Sequence, residues 1–203
     1  PRAKGVYRGE LVEEKVEALR LLLSHQPGPV SYSGKHVAFE NVNLNPRPVQ
    51  NPIPLLTAAE TPAPLERAAR WDIDPIIHMG SLAERKAQFE PVLKAAGKSL
   101  DDFDLVVWAD LRVDGDQKTA ADQYLNSIMG KFARKFRKVD DDVIVCANWV
   151  GTVEHIAGQL VDLKHQGIER IVVMHTVTDT FEEMLEQSQI FAEEGMALVE
   201  KSS

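Results

Sequence analysis

The residues best placed to do chemistry lie in LLTAAETPAPLERAAR, residues 55–70. There an apolar run ends in a small-residue turn, and a helix begins with two prolines in its first turn. The turn from Ala58 to Pro64 has the parts of an anion site. Backbone N–H groups at a helix start lack intrahelical partners and carry partial positive charge, and Thr61 adds a hydroxyl donor. Pro62 and Pro64 suit a first turn, because their missing N–H groups would be orphaned there anyway. The same residues also describe an ordinary, well-capped helix start, and composition alone leaves both readings open. Other candidate groups are dispersed. His155 and His165 share a helix but not a face, so they form no metal pair. His25, His36 and His175 are isolated in sequence. Asp110, Asp114 and Asp116, near the end of a strand, are expected in solvent, the alternative being the mouth of a pocket. Cys146, inside VIVCANWV, is expected to be a buried structural thiol. There is no Gly-rich dinucleotide loop and no serine-nucleophile elbow.

These groups need elements to hold them. Residues 8–24 read as a helix, with Val12, Val16, Leu19 and Leu23 at helical spacing. HQPGP breaks it, VSYSGKHVAFENVNL alternates as a hairpin turning near Ser33-Gly34, and NPRPVQNPIP is an extended connector. The pattern then becomes regular. IPLLTAA, IDPIIHMG, FDLVVWADLRV and IERIVVMHT read as strands. The helices between and after them include SLAERKAQFEPVLKAAGK, where Pro91 predicts a kink or break. In QKTAADQYLNSIMGKFARKF, Ala121, Leu125, Ile128 and Phe132 share one face. TVEHIAGQLVDLKHQG opens on Thr152 as N-cap and closes at Gly167. VDDDVIVCANWVG is not assigned. Strands alternating with helices imply a parallel sheet that binds ligands at its carboxyl ends. Those ends are Ala58–Thr61, His78–Ser81, Leu111–Asp114 and Met174–Thr178.

The 203 residues are 44% hydrophobic and 27% charged, ordinary for a globular domain with its own core. A net charge of −8 argues against a nucleic-acid surface. The basic cluster KFARKFRK, residues 131–138, is followed at once by DDD and reads as a solvated helix end. One cysteine excludes an internal disulfide and fits a reducing compartment. No segment reads as a membrane span or a signal peptide, so the expected location is cytoplasmic, with no membrane partner.

TAAETPAPLERAARWDIDPII resembles the corresponding stretch of the luciferase-like flavin-dependent monooxygenases, where a strand ends in an Ala-Glu-Ser/Thr turn before a helix with an Ala-Ala pair. GELVEEKVEALRLLLSHQPGPVSYSGKHVAFENVNLNPRPVQNPIPLL is similar to the family's helix, hairpin and Pro-rich lead-in. NWVGTVEHIAGQLVDLKHQGIERIVV is similar to its Val-Gly-Thr-Pro-Glu segment and following strand. The resemblance spans nearly the whole chain. It implies an α/β fold, the second half of a TIM-like (β/α)8 barrel, with four parallel βα units after a leading helix and hairpin. It implies reduced FMN, or the deazaflavin F420 in one branch, at the carboxyl ends of the strands. Carried over, Ala59, Glu60, Thr61, Ala63 and Pro64 fall on the phosphate turn, and His78 and Met79 on positions against the flavin ring. Glu60 can serve there through its backbone N–H alone, and Pro64 departs from the family by lacking a donor. His78 is equally readable as a buried, satisfied histidine.

A complete barrel has eight strands in about 250 residues. One domain is expected over 1–203, with helix, hairpin and connector in 1–52 and the βα repeats in 53–203. The chain begins at Pro1, without methionine. It is therefore expected to be a piece of a longer protein, to pair with the missing N-terminal half, or to form a homo-oligomer, since a half-barrel leaves strand edges unpaired. The function implied is the C-terminal part of a monooxygenase that uses reduced FMN and O2 on a small organic substrate, served by a flavin reductase. The alternatives are an F420-dependent oxidoreductase and a non-catalytic flavin-binding or assembly protein.

Overall fold

A computed structural model describes residues 8–202. They divide into two compact units, with the boundary in the chain between Leu55 and Leu56. The first contains α1 (Arg8–Leu23) and an antiparallel hairpin of β1 (Val30–Ser33) and β2 (Ala38–Val42), with Tyr32 opposite Phe39. Glu14 holds the hairpin turn. Its Oε1 accepts the Lys35 N–H at 2.6 Å, and its Oε2 accepts those of His36 and Val37 at 2.7 and 2.9 Å. Arg47 anchors the Pro-rich connector by donating to the carbonyls of Ser24 and Gly28, both at 3.1 Å, and to that of Gln26.

The second unit runs β3 (Leu56–Ala58), α2 (Pro62–Trp71), β4 (Asp74–His78), α3 (Leu82–Ala95), β5 (Val106–Val113), α4 (Gln117–Asn126), α5 (Ile128–Arg137) and α6 (Asp141–Cys146). It continues with β6 (Trp149–Gly151), α7 (Val153–His165), β7 (Arg170–Thr176) and α8 (Phe181–Ile190). A π-helical turn, Phe191–Gly195, then leads into α9 (Met196–Lys201). Every strand pairing in this five-stranded sheet is parallel. The four strands expected from sequence lie side by side in chain order as β3, β4, β5 and β7. The fifth, β6, comes from the stretch left unassigned. β4 covers Val106–Trp108 of β5, and β6 pairs with Leu111–Val113 along the same edge, beyond the end of β4.

β5 is the spine of the sheet and is buried along nearly all its length. Side chains alternate across a strand, so Val107, Ala109, Leu111 and Val113 join the main core with Phe89 and Leu93 of α3 and Ile156 and Leu160 of α7. Trp108, Asp110 and Arg112 occupy the opposite face. Beyond the end of β7, the Gln187 side chain replaces a strand. Its Oε1 accepts the Val113 N–H at 2.6 Å, and its Nε2 donates to the Val113 carbonyl at 2.8 Å. Gln117 does the same for β6, donating to the Val150 carbonyl at 3.0 Å.

Two local expectations are corrected, and of the kink or break expected at Pro91 the break is absent. The long third helix breaks at Ser127, whose N–H bonds the Gln123 carbonyl at 3.1 Å while its Oγ accepts the Gly130 N–H at 3.1 Å. Ser127 thus ends α4 and caps α5. The break turns Ile128 and Phe132 away from the face of Ala121 and Leu125, leaving them 85% and 55% exposed. VIVC is helical, so Ile144 and Val145 face inward and Cys146 is exposed, not buried. Pro91 does not break α3, which runs unbroken from Leu82 to Ala95. Thr152 does cap α7, accepting the His155 N–H at 3.3 Å. Among the described residues no helix is long and apolar enough to cross a membrane.

The α4–α5 corner depends on Gly130, where a Cβ would lie 2.3 Å from the Tyr124 carbonyl oxygen and 2.6 Å from the Leu125 Cα. Backbone cannot yield as a flexible side chain does. Gly130→Ala is expected to lower stability by about 1–3 kcal/mol, read as a reduced urea midpoint with an unchanged m-value.

Candidate functional site

The turn that follows β3 is open to solvent. Ala59 is fully buried and its N–H bonds the Ile76 carbonyl at 3.0 Å, so this donor belongs to the sheet. Thr61 is the N-cap of α2 in extended conformation (φ −145°, ψ 163°), and its hydroxyl makes no capping bond. With proline at 62 and 64, Ala63 is the first-turn position that keeps an N–H. Thr61, Pro62 and Ala63 are exposed, and Pro64 is half-buried. The junction therefore offers an anion the Ala63 backbone N–H and the Thr61 hydroxyl, which makes no capping bond. The Glu60 carboxylate is held elsewhere. Its Oε1 accepts the His78 N–H at 2.7 Å and the Trp108 indole N–H at 3.2 Å, and its Oε2 accepts the Ser81 hydroxyl at 2.9 Å.

Those bonds lead to the end of β4. His78 is 3% exposed and lies opposite Trp108 in the sheet register, its ring edge-on to the indole with centroids 4.5 Å apart. Its Nδ1 accepts the Gly80 N–H at 3.2 Å, which assigns the ring proton to Nε2, 3.4 Å from Asn148 Oδ1. Arg137 from α5 brings Nη2 within 3.2 Å of the same Nε2, in this tautomer a close approach of two N–H groups and not a hydrogen bond. Burial first, and then the Arg137 charge, hold His78 below its ordinary value of 6.5 and keep it neutral. Met79 is half-buried and packs against the main core. The structure thus links Glu60 with His78, keeps Thr61, Ala63 and Pro64 together on the rim of α2, and turns Met79 to the core.

A second set of groups lies beside His78. Asp110 is buried at 4% exposure, correcting its expected place in solvent. One carboxylate oxygen accepts the Tyr124 hydroxyl at 3.0 Å, and the other lies 2.8 Å from His175 Nδ1. Its backbone N–H donates to Asn148 Oδ1 at 3.0 Å. Burial first, then the Asp110 charge, push the Tyr124 phenol well up, so it stays a donor. His175 reaches Asp110 through an irregularity in β7: Ala109 pairs with Val173 but Leu111 with Thr176, one residue too many. Ile171 and Val173 pack on the core, and strict alternation would send His175 the same way. Further along β5, Arg112 donates to Gln123 at 2.8 Å, to the Val177 carbonyl at 3.0 Å and to Glu183 at 2.5 Å.

His78, Trp108, Asp110, Tyr124, Asn148 and His175 line a cleft of about 330 Å³ whose outer wall is α5. From sequence, Asp110 is expected in solvent with a pocket mouth as the alternative, His175 is isolated, and Arg137 belongs to a solvated helix end. The available signal was Asp110 and Arg112 two apart inside an otherwise apolar strand, which puts two charges on one face. His175 carried no such signal. Among the described residues no group of three or more His, Cys, Asp or Glu could hold a metal ion.

Comparison with known proteins agrees with this architecture. The sequence profile of the family described as luciferase-like monooxygenase matches residues 7–170. The 5,10-methylenetetrahydromethanopterin reductase of Methanopyrus kandleri is 23% identical over 180 residues, covering 72% of this chain and 52% of that protein. An F420-dependent secondary alcohol dehydrogenase, solved with an F420-acetone adduct, superposes with a TM-score of 0.70 at 16% identity over 97% of this chain and 65% of its own. The oxygenating constituent of 3,6-diketocamphane monooxygenase from Pseudomonas putida, a type II Baeyer-Villiger monooxygenase solved with FMN, superposes at 0.61 with 10% identity, over 95% and 64%. The parallel α/β sheet is thus that of the luciferase-like barrels. The chain spans about half the length of the reductase it matches.

The neutral state of His78 has a measurable consequence. A base whose folded pKa is depressed stabilises the fold fully above its unfolded value, and that contribution is lost as pH falls below it. Unfolding free energy is expected to decline as pH drops below 6.5, and the decline should be shallower in His78→Gln. Equal slopes in denaturant titrations of the two proteins across that window would refute the assignment.

Proposed function

The chain belongs to the luciferase-like monooxygenase family, and from that premise we propose that it supplies the phosphate-receiving half of a flavin-dependent oxidoreductase. The observation that carries the proposal is the β3–α2 junction. It is exposed and positively polarised, its Thr61 hydroxyl is unused in capping, and the nearby carboxylate of Glu60 is drawn away by three donors. The donor set fits a terminal phosphate, although more sparingly than a first turn without Pro64 would. Thr61 Oγ1 and the Ala63 N–H hold the phosphate, Ala59 and Glu60 shape the turn, and His78 with Met79 stands at the ring side. Buried and neutral, His78 presents a polar edge without a charge, and Trp108 and the apolar face of α5 exclude water from that region. When bound, the flavin supplies the redox chemistry toward a small organic substrate, with reduced FMN and O2 as the leading reading.

F420 is the second reading. A reductase of this family from Methanopyrus kandleri and an F420-dependent alcohol dehydrogenase are among the relatives. F420 also ends in an anionic tail, so the same turn serves it, and hydride transfer replaces oxygen chemistry.

Among the described residues the outer edges of β3 and β7 are unpaired, and there the remainder of a barrel, or a second copy of this chain, would pair. Leu56 of β3 and Met174 of β7 are 43% and 42% exposed, whereas β5 between them is buried. Exposed parallel edges of this kind favour association.

Two outcomes are expected. FMN or F420 should bind, and Thr61→Val should weaken binding about tenfold, as loss of one hydrogen bond to a charged group implies. Fluorescence titration of both cofactors distinguishes them, and equal affinity in wild type and variant would remove the phosphate from this turn. Light scattering is expected to give a mass above that of one chain, or a complex with a supplied N-terminal half, and a stable monomer indifferent to that half would refute the pairing.

A further inference from the structure

The cleft beneath α5 has a chemistry of its own. Its walls are apolar. Trp108 stands on one side, and Met129, Phe132 and Phe136 of α5 on the other. Phe132 and Phe136 lie with centroids 4.3 Å apart and ring planes tilted by 39°, and are 55% and 60% exposed. Arg137 and His175 are among the polar groups that face this space. The Arg137 guanidinium lies against neutral His78 and has no carboxylate partner among the described residues. The His175 side chain is 48% exposed, while the Asp110 side chain that holds it is 6% exposed. A carboxylate beside Nδ1 requires the proton on that nitrogen, so in the neutral ring the lone pair is on Nε2. Asp110 is in turn fixed by Tyr124, and its backbone by Asn148. A buried carboxylate thus orients an accessible imidazole through a one-residue irregularity in β7, the kind of local device that re-aims a side chain at a site.

We propose that this cleft binds a small, apolar-bodied molecule bearing an acidic hydroxyl, a phenol or enol, whose proton passes to His175 and whose oxygen is held by Arg137. The O–H bond breaks as an N–H bond forms at Nε2. The imidazolium so produced keeps its Nδ1–H on the Asp110 carboxylate, and the ligand oxyanion pairs with the guanidinium. Charge and protons balance without an oxidant or a second reactant. Apolar walls admit the ring or chain, and the two cations produce selectivity for the ionised hydroxyl over a neutral isostere. The inference goes beyond the flavin reading and does not need a flavin. If both hold, it places a substrate class beside the ring side of the site.

4-Nitrophenol is a suitable probe, because its ionised form is yellow. Titrated against the full chain without flavin, at a pH below the phenol's own ionisation, it is expected to bind and to show the phenolate band. His175→Gln, whose amide N–H can still donate to Asp110, should fold and bind the probe without colour. Arg137→Met should weaken binding about tenfold, the loss of one charge-assisted hydrogen bond. Nitrobenzene, which lacks the hydroxyl, should bind more weakly than nitrophenol and be indifferent to both substitutions. Absence of binding, a bound probe that stays neutral, or an unchanged band in His175→Gln would each overturn the proposal. The flavin titrations with Thr61→Val report separately. A chain that ionises nitrophenol but binds no flavin keeps this inference and ends the flavin reading, and the reverse result ends this one.

Discussion

Two charges inside a strand closed off on both faces constrain the second unit. Asp110 and Arg112 sit on β5, where water reaches neither freely, and a buried charge without partners costs several kcal/mol (about 3–5 when one partner is removed). Each neighbouring element meets part of that demand. α4 contributes Tyr124 to Asp110 and Gln123 to Arg112. β7 contributes His175, α8 contributes Glu183, and the segment after β7 contributes the Val177 carbonyl. The Ser127 break is part of the same arrangement. It ends α4 with Tyr124 buried over Asp110 and redirects α5 so that Arg137 reaches His78.

The outer strands meet no such demand. β3 is short and half-exposed, and among the described residues β7 pairs with β5 alone, so the sheet has a sealed centre and open flanks. This matches a chain that spans about half of the reductase it resembles. It also separates two regions by character. The β3–α2 turn is shallow, polar and solvent-facing, suited to an anionic tail. The cleft at the ends of β4, β5 and β7 is walled by aromatic side chains and holds polar groups at fixed positions. Glu60 connects them: its backbone belongs to the turn and its carboxylate to the His78 and Trp108 end of the cleft. Loss of that carboxylate would leave the His78 N–H and the indole N–H without acceptors, so the two regions are coupled mechanically as well as by proximity.

Much of this was legible in the chain itself. Period-2 and helical patterns, with glycine and proline as punctuation, place the strands β3, β4, β5 and β7 and the helices between them, because burial on one face imposes its period on the residues directly. Thr152 as a cap, the Arg47 connector region and the Ala58–Pro64 turn follow from local rules that need no distant partner. Where the reading failed, a long-range contact overruled a local preference. Nothing local to QKTAADQYLNSIMGKFARKF says that Gly130 must pass close to the Tyr124 carbonyl, so the break at Ser127 is invisible until α5 is packed. VIVCANWV reads as strand or helix by apolar content alone, and the pairing of Trp149–Gly151 with the far end of β5 decided between them. Asp110 looked solvated because its partners are Tyr124 in the following helix and His175, 65 residues away. The extra residue in β7 that turns His175 toward it is a matter of register between two strands. Sequence by itself determined the strands β3, β4, β5 and β7 and which donors the β3–α2 turn contains, since those depend on neighbours close in the chain. Tertiary structure alone decided which charges are buried and which histidine faces a carboxylate, since burial and register are properties of the assembled sheet.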